Sequence, residues 1–510
     1  MVLTAPSNVL YAEYEQRMRR IADVKYAVAV LQWDQETYLP SKGAAFRGQQ
    51  MATLSEIAHE WNTDPSLGCL LEELNGRGEL KEDQRCNVVL SLEDYNKQKK
   101  FSPAFIRQLS EAASRSFHSW IKARANNSFG LFEADLQNML DLKKKEADLA
   151  GYEQHPYNAL IDQYEKGCTV ALLDKTFDLI RTPLKDLLDR IMAQPKPDDS
   201  FLRGNPGSPT APFPKNQQWD FGMQVIGQMG FDFEAGRQDL SEHPFTTNFS
   251  SQDVRITTRI DEHDLGNMTW SCIHEAGHAL YEQGLPEEYY GLPLGEYTSL
   301  SIHESQSRLW ENNIGRSINW WQHWYPILQS RFPDQLNSIP IDQFYKGINK
   351  VTPSLIRTEA DELSYHFHVM IRYKLEKSLI EGSLSVRDIP AYWNEQYAGY
   401  LGVRVPDDKN GCLQDVHWSH GSFGYFPTYS LGSFYAAQLF AAAEKQEPDI
   451  PQKAKTGDTS LLLNWLRENI HRHGRRFTSE ELCQRATGET LNIQYFLTYL
   501  FDKYNKIYKF

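Results

Sequence analysis

The pentapeptide His274-Glu275-Ala276-Gly277-His278 constrains this chain more than any other feature. In an α-helix, residues i and i+4 lie about 400° apart around the axis, so both histidines face one way and can grip one cation. Glu275 is offset from that face and can reach a water on the metal without ligating the metal itself. Thr269, Trp270, Ile273, Ala276, Ala279 and Leu280 continue the helical pattern, and Gly284 and Pro286 stop it. A third ligand has to come from another segment. Glu304, in Ser301-Ile302-His303-Glu304-Ser305-Gln306, opens the next strongly helical stretch and offers a carboxylate; His303 and Glu296 are rivals for the position. Two His and one Glu are a known set for catalytic zinc, with the fourth position left for water. Some such sites carry an Asp four residues after the ligand Glu to orient a ligand His. Arg308 stands there in this chain, so that partner must come from elsewhere.

The rest of the chain limits the function classes. A length of 510 residues with 41% hydrophobic and 12% aromatic content can bury a large core. A net charge of −14 argues against nucleic-acid or anionic-membrane partners, which need clustered Lys and Arg. The opening Met-Val-Leu-Thr-Ala-Pro-Ser lacks the basic and apolar regions of a leader, and no apolar run is long enough for a membrane span. Six scattered cysteines include no Cys-x-x-Cys pair, so the expectation is reduced thiols, a cytoplasmic location and a metal held by His and carboxylates.

Periodicity reads as mainly α. In Tyr11–Val30, Tyr14, Met18, Ile21, Val24 and Val28 recur at steps of three and four, and similar patterns run to about residue 195. Six prolines and two glycines fall between Pro195 and Pro214, marking residues 196–220 as a loop, either a domain boundary or a crossing strap. Two short strands are expected, at Phe245-Thr-Thr-Asn-Phe and Val254–Ile260, as one small antiparallel β-element just before the metal helix. From Leu265 helices resume. The expected organisation is one catalytic unit over 1–510, with a helical part (1–195), the loop, and a part carrying the metal site (221–510).

Further motifs then place the chain. It resembles the M32 family of metallocarboxypeptidases, the thermostable carboxypeptidase type. The signatures occur in order: Asp253-Val-Arg255-Ile-Thr257, His274-Glu-Ala-Gly-His278, His303-Glu304-Ser305-Gln306, Ile356-Arg357-Thr-Glu-Ala360-Asp361 and Gly411-Cys-Leu-Gln414-Asp415-Val-His417-Trp418. Leu31-Gln-Trp33-Asp34 with Arg47, Gly236–Phe245 and Gly424-Tyr425-Phe426-Pro427-Thr428-Tyr429 extend the likeness nearly end to end. The resemblance implies a large helical body with a deep substrate groove, zinc at its floor (cobalt or manganese as substitutes), and usually a homodimer. It implies release of single C-terminal residues from peptides with broad side-chain tolerance, by Glu275-assisted attack of a zinc-bound water, and it favours Glu304 as third ligand. A related-fold zinc oligopeptidase, cleaving internally or releasing dipeptides, is the alternative.

The resemblance also gives Arg357 a role, since a planar guanidinium fork suits a free α-carboxylate. From spacing alone Arg357 reads instead as a surface cation paired with Asp361 at i+4. Arg255, on the second strand, is a substrate-binding candidate, with pairing to Asp253 as the other reading. His417 and Tyr425 are candidates to meet the substrate carbonyl or the oxyanion. His366 and His368 read as helix-packing residues, His471 and His473 as a solvated basic patch, Trp33 as core and Asp34 as a pairing group.

Overall fold

A computed structural model describes residues 6–204 and 212–510. The leader reading at residues 1–5 and the middle of the Pro/Gly stretch, residues 205–211, lie outside the described residues.

The first part of the chain is a long hairpin of helices Ser7–Thr37 and Ala44–Asn62, followed by Pro65–Asn75 and Glu82–Gln98. It has a small core of its own, in which Tyr14, Ile21, Leu67, Leu71, Leu74 and Val88 pack with Leu292. A much larger core runs from Ala112 to Tyr508. Helices Pro103–Ala125, Gly130–Ala150 and Val170–Met192 share that core with the metal-bearing part. Phe201, Leu202 and Phe213, on either side of the undescribed stretch, are buried in the same core, so the described ends of the Pro/Gly segment act as a strap. A helix begins at Lys215, inside the expected loop.

The β-element is mixed and has three strands, which corrects the expectation of two antiparallel ones. β1 (Gly236–Leu240), β2 (Thr246–Ser250) and β3 (Asp253–Thr258) lie in the order β1-β3-β2. β2 and β3 are antiparallel, with Thr246 opposite Ile256 and Thr247 opposite Arg255, while β1 joins β3 in parallel. β1 gives little strand signal because its buried positions are polar. Gln238 accepts from the Cys272 thiol at 2.9 Å, and Asp239 takes a two-pronged bond from Arg237 at 2.7 Å.

Three helices meet behind the sheet with almost nothing between their backbones. The motif helix, Leu265–Glu282, is capped by Asp264, whose carboxylate accepts from Gly266 N–H at 3.0 Å. The ligand helix, Leu300–Arg308, is capped by Ser299 through Ile302 N–H at 3.1 Å. A side chain at Gly277 would meet Ser307 Cα at 2.7 Å and the Gln306 carbonyl at 2.8 Å. The third helix, Phe426–Gln446, approaches in the same way: a Cβ at Gly432 would lie 2.6 Å from Glu304 Cβ. Backbone cannot yield as a flexible side chain can. Gly277→Val is therefore expected to push the two ligand-bearing helices apart, costing about 1–3 kcal/mol of stability from overpacking. Metal binding, followed by titration calorimetry, should weaken with it; unchanged affinity would contradict the close packing.

The basic segment near the C-terminus is not the solvated patch expected. His471 is fully buried, its Nε2 lies 3.0 Å from Gln306 Oε1, its ring packs on Tyr281, and burial pushes its pKa down to about 3. Arg475 and Arg476 reach back to Asp94 and Asp83, tying the C-terminal region to the N-terminal helices. The alternation of charge with polar residues there hides long-range pairing that spacing alone does not reveal.

Candidate metal centre

The motif helix and the ligand helix bring His274, His278 and Glu304 together. Nε2 of His274 and of His278 lie 3.8 and 3.6 Å from Glu304 Oε2, and the potential ligand atoms all fall within 4.8 Å of one another. Ligand atoms on one tetrahedral zinc, each about 2.0–2.1 Å away, would be spaced about 3.3–3.5 Å apart, so the donor set fits such an ion with small adjustment.

The outer ring nitrogens are already committed, which leaves both Nε2 atoms for a metal. His274 Nδ1 donates to Glu311 Oε2 at 2.8 Å. Glu311 lies in a π-helical turn, Leu309–Ile314, that continues the ligand helix. Burial opposes its charge, but Arg308 and the His274 hydrogen bond hold its pKa down to about 2. His278 Nδ1 lies 2.5 Å from His303 Nδ1, and His303 Nε2 lies 2.7 Å from Glu282 Oε1. With Nε2 of His278 reserved for a metal, its Nδ1–H donates to His303, whose Nε2–H donates to Glu282. Burial, then His303, pushes the His278 pKa down to about 3, so the ring is neutral as ligation requires. Arg308 takes the remaining oxygen: its Nε donates to Glu304 Oε1 at 2.7 Å and its Nη1 to Glu311 Oε2 at 3.2 Å. Against the penalty of burial, Arg308 and the two histidines keep Glu304 charged well below the usual carboxylate range.

The partners absent from the sequence reading are thus Glu311, His303 and Glu282. Glu304, Arg308 and Glu311 stand at i, i+4 and i+7, one face of a helix, and that charged stripe was the available signal. The rivals for third ligand have other tasks, His303 in the relay just described and Glu296 in an ion pair with Arg475 at 2.9 Å.

Glu275 is buried beside the three candidate ligands. Thr246, on β2, donates its hydroxyl to Glu275 Oε2 at 2.5 Å. Burial raises the Glu275 pKa, with His274 and the Thr246 hydrogen bond acting against that rise.

Arg357 is buried in a short 3-10 turn, and its partner is Asp415 rather than Asp361. Its Nε donates to Asp415 Oδ1 at 2.9 Å and its Nη1 to Tyr365 OH at 3.0 Å; no bond from Nη2 is found among the described residues. Asp361 instead accepts from Leu363 and Ser364 backbone N–H at the start of the next helix. Arg372 holds the other oxygen of Asp415 at 2.5 Å. The Tyr365 ring connects this cluster to the metal centre, with Arg308 Cζ 4.5 Å and Arg357 Cζ 5.9 Å from its centroid. His417 and Tyr425 belong to the same cluster. Their rings lie 5.3 Å apart, and His417 Nε2 is 3.2 Å from Tyr429 OH, while Arg357 lies over the Tyr429 ring. Burial, with Arg357 nearby, pushes His417 down to about 3, and burial pushes Tyr425 up to about 12, so both groups are neutral donors or acceptors.

Arg255 stands apart from this cluster. Its Nε and Nη2 both bond Asp253 at 2.9 Å, and its guanidinium packs 4.4 Å from the centroid of Trp33. Trp33 is core, and Asp34 pairs with Arg47 at 2.6 Å. His366 and His368 are buried against Ser430 and Tyr397.

A family model described as Carboxypeptidase Taq (M32) metallopeptidase matches residues 13–504. The chain belongs to the M32 family of metallopeptidases. Members similar to it along their whole length include carboxypeptidase 1 of Bacillus subtilis, 37% identical over 97% of this chain and 98% of the relative. Thermostable carboxypeptidase 1 of Thermus thermophilus is 38% identical over 94% and 95%. The M32 carboxypeptidase structure from Deinococcus radiodurans superposes with a TM-score of 0.95 at 38% identity, covering 98% of this chain and all of that one. The protein is an M32 metallocarboxypeptidase, a hydrolase acting on peptides, and membership implies a divalent metal. No helix among its described residues is long and apolar enough to cross a membrane.

Proposed function

We propose that this M32 enzyme releases single C-terminal residues from peptides with broad side-chain tolerance, using zinc held by His274, His278 and Glu304. Cobalt or manganese suits the same donors. The observation that carries the reading is Arg357, a buried guanidinium fixed by Asp415 and Tyr365, one ring away from the arginine that holds Glu304. Nη2 is the prong through which it would receive a terminal carboxylate.

When bound, the cation polarises the scissile carbonyl and makes water more acidic. Glu275 takes the proton from the attacking water and passes it to the leaving amine. Thr246 fixes Glu275 Oε2, so Oε1 is the oxygen turned to this task. Arg357 sets where the chain ends and so which bond is cleaved. Tyr425 donates its phenol to the developing oxyanion. His417, paired through Nε2 with Tyr429 and with its ring beside that of Tyr425, is the group that meets the substrate carbonyl. Arg255 stiffens β3 behind Thr247, the neighbour of Thr246. A cytoplasmic homodimer is part of the same reading, in keeping with six unpaired cysteines.

The test is mass spectrometry of a mixed-sequence peptide incubated with the metal-loaded enzyme. A ladder of successive single-residue losses from the C-terminus is expected, and C-terminal amidation of the peptide should abolish it. Rapid cleavage of the amidated peptide, or release of dipeptides, would replace this reading with the oligopeptidase one.

A further inference from the structure

Glu376 has no part in the chemistry above, yet it lies fully buried in the helix Tyr365–Glu381. Its carboxylate accepts three hydrogen bonds. Tyr157 OH at 2.5 Å and Gly424 N–H at 2.9 Å reach Oε2, and Trp418 Nε1–H at 2.7 Å reaches Oε1. Two of these donors flank the pair assigned to the substrate carbonyl, since Trp418 follows His417 and Gly424 precedes Tyr425. The segment between them is tightly folded, with positive φ at Gly421 (75°) and Gly424 (95°). A Cβ at Gly424 would lie 2.8 Å from the Leu160 carbonyl, so the loop is pressed against the short helix Tyr157–Ile161 that carries the third donor.

We propose that Glu376 is the positioning residue of the active site, a single buried carboxylate that clamps both ends of the 417–425 loop and so fixes His417 and Tyr425 relative to each other. The proposal rests on the reading of those two residues as groups that meet the substrate. Three donors converge on the carboxylate, an arrangement that matches its ionised form and makes each bond charge-assisted. The neutral acid would have to turn its own O–H against one of them. The titratable and charged groups facing Glu376 are Arg372 on its own helix, Tyr157 on the short helix and Tyr164 just beyond it. Arg372 directs its hydrogen bonds to Asp415, Gln414, Tyr397 and the His368 carbonyl, and among the described residues Glu376 has no direct ion pair. Burial pushes Glu376 up to about 7, with the bonds from Gly424, Tyr157 and Trp418 opposing it. The clamp is therefore tight on the alkaline side of neutrality and looser on the acid side.

Glu376→Gln in the metal-loaded enzyme is expected to lower kcat by about tenfold to a hundredfold, the scale of small misplacements of reacting groups. KM should stay within about twofold, because Asp415 and Tyr365 still hold Arg357. Metal content should be unchanged. Hydrogen exchange by mass spectrometry should speed up by about tenfold in peptides covering 417–425 and not in the motif helix. In the unmodified enzyme, the same peptides should exchange faster at pH 6 than at pH 8 after correction for intrinsic rates. Tyr157→Phe removes one donor from the side away from the loop and should shift kcat and exchange the same way by less, which keeps a test available if Glu376→Gln does not fold. Tyr425→Phe and His417→Gln separate the two ways of failing. If they are impaired while Glu376→Gln matches the unmodified enzyme in kcat and exchange, the clamp is overturned. If both run at full rate, the roles given to His417 and Tyr425 fail and the proposal falls with them.

Discussion

Glu275→Gln is expected to leave the metal bound and to lower kcat by roughly 10²–10⁴-fold, the usual contribution of a positioned general base. Glutamine keeps the shape of the side chain, and its amide oxygen can still accept from Thr246, so the packing of β2 against the motif helix survives. None of the three ligands or their partners Glu311, His303 and Arg308 is touched. Only the capacity to take a proton disappears. Metal per chain by atomic emission, measured beside turnover of an unblocked peptide, checks both halves. Near-normal turnover would show that another group is the base, whereas lost metal would show that Glu275 helps to hold the ion. Because burial raises the Glu275 pKa, the ionised form needed for proton abstraction is depleted earlier on the acid side than for an ordinary carboxylate.

Arg357→Ala is expected to cost about 2–5 kcal/mol in kcat/KM on substrates with a free C-terminus, the range for truncating one partner of a buried charge pair. At about 1.4 kcal/mol per factor of ten, that is a loss of roughly 30-fold to several thousand-fold. The protein should remain folded, because Asp415 keeps its bond from Arg372 and is not left as an unpaired buried charge. Arg357→Lys retains the charge but not the fork already engaged by Asp415 and Tyr365, so it should recover only part of the loss. Kinetics on matched free-acid and amidated peptides decide the point. An equal loss on both would mean that Arg357 supports the fold of the site and does not recognise the terminal carboxylate.

The convergence of His274 and His278 is legible because a helix repeats its face every three to four residues, so the two announce a shared direction by spacing alone. The strands β2 and β3 were legible for the matching reason, alternation. β1 was not, since its buried side chains, Gln238 and Asp239, are polar and accept from Cys272 and Tyr38, residues distant in sequence. The same blindness to distant pairing explains Arg357, given a helical neighbour at Asp361 by spacing but held by Asp415, 58 positions away, in the fold. It explains His471 as well, whose basic surroundings suggested solvent but whose ring lies in the core between Tyr281 and Gln306. The partner of His274 is Glu311, seven residues beyond Glu304 instead of four, because Arg308 fills the i+4 position and a wide turn follows it.

The wide turn at Leu309–Ile314 bears on how this site can change over time. Each residue of a regular helix advances the direction of its side chains by about 100°. Loss or gain of one codon within this turn would therefore rephase Glu311 against His274 while leaving Glu304 in place, uncoupling the ligand from the acid that steadies its neighbour. Length variation is easily absorbed where connections run over the surface, but this six-residue stretch is a gauge block: its residue count sets a spacing as firmly as any side chain in it. Homologues should tolerate substitution within the turn far more readily than insertion or deletion.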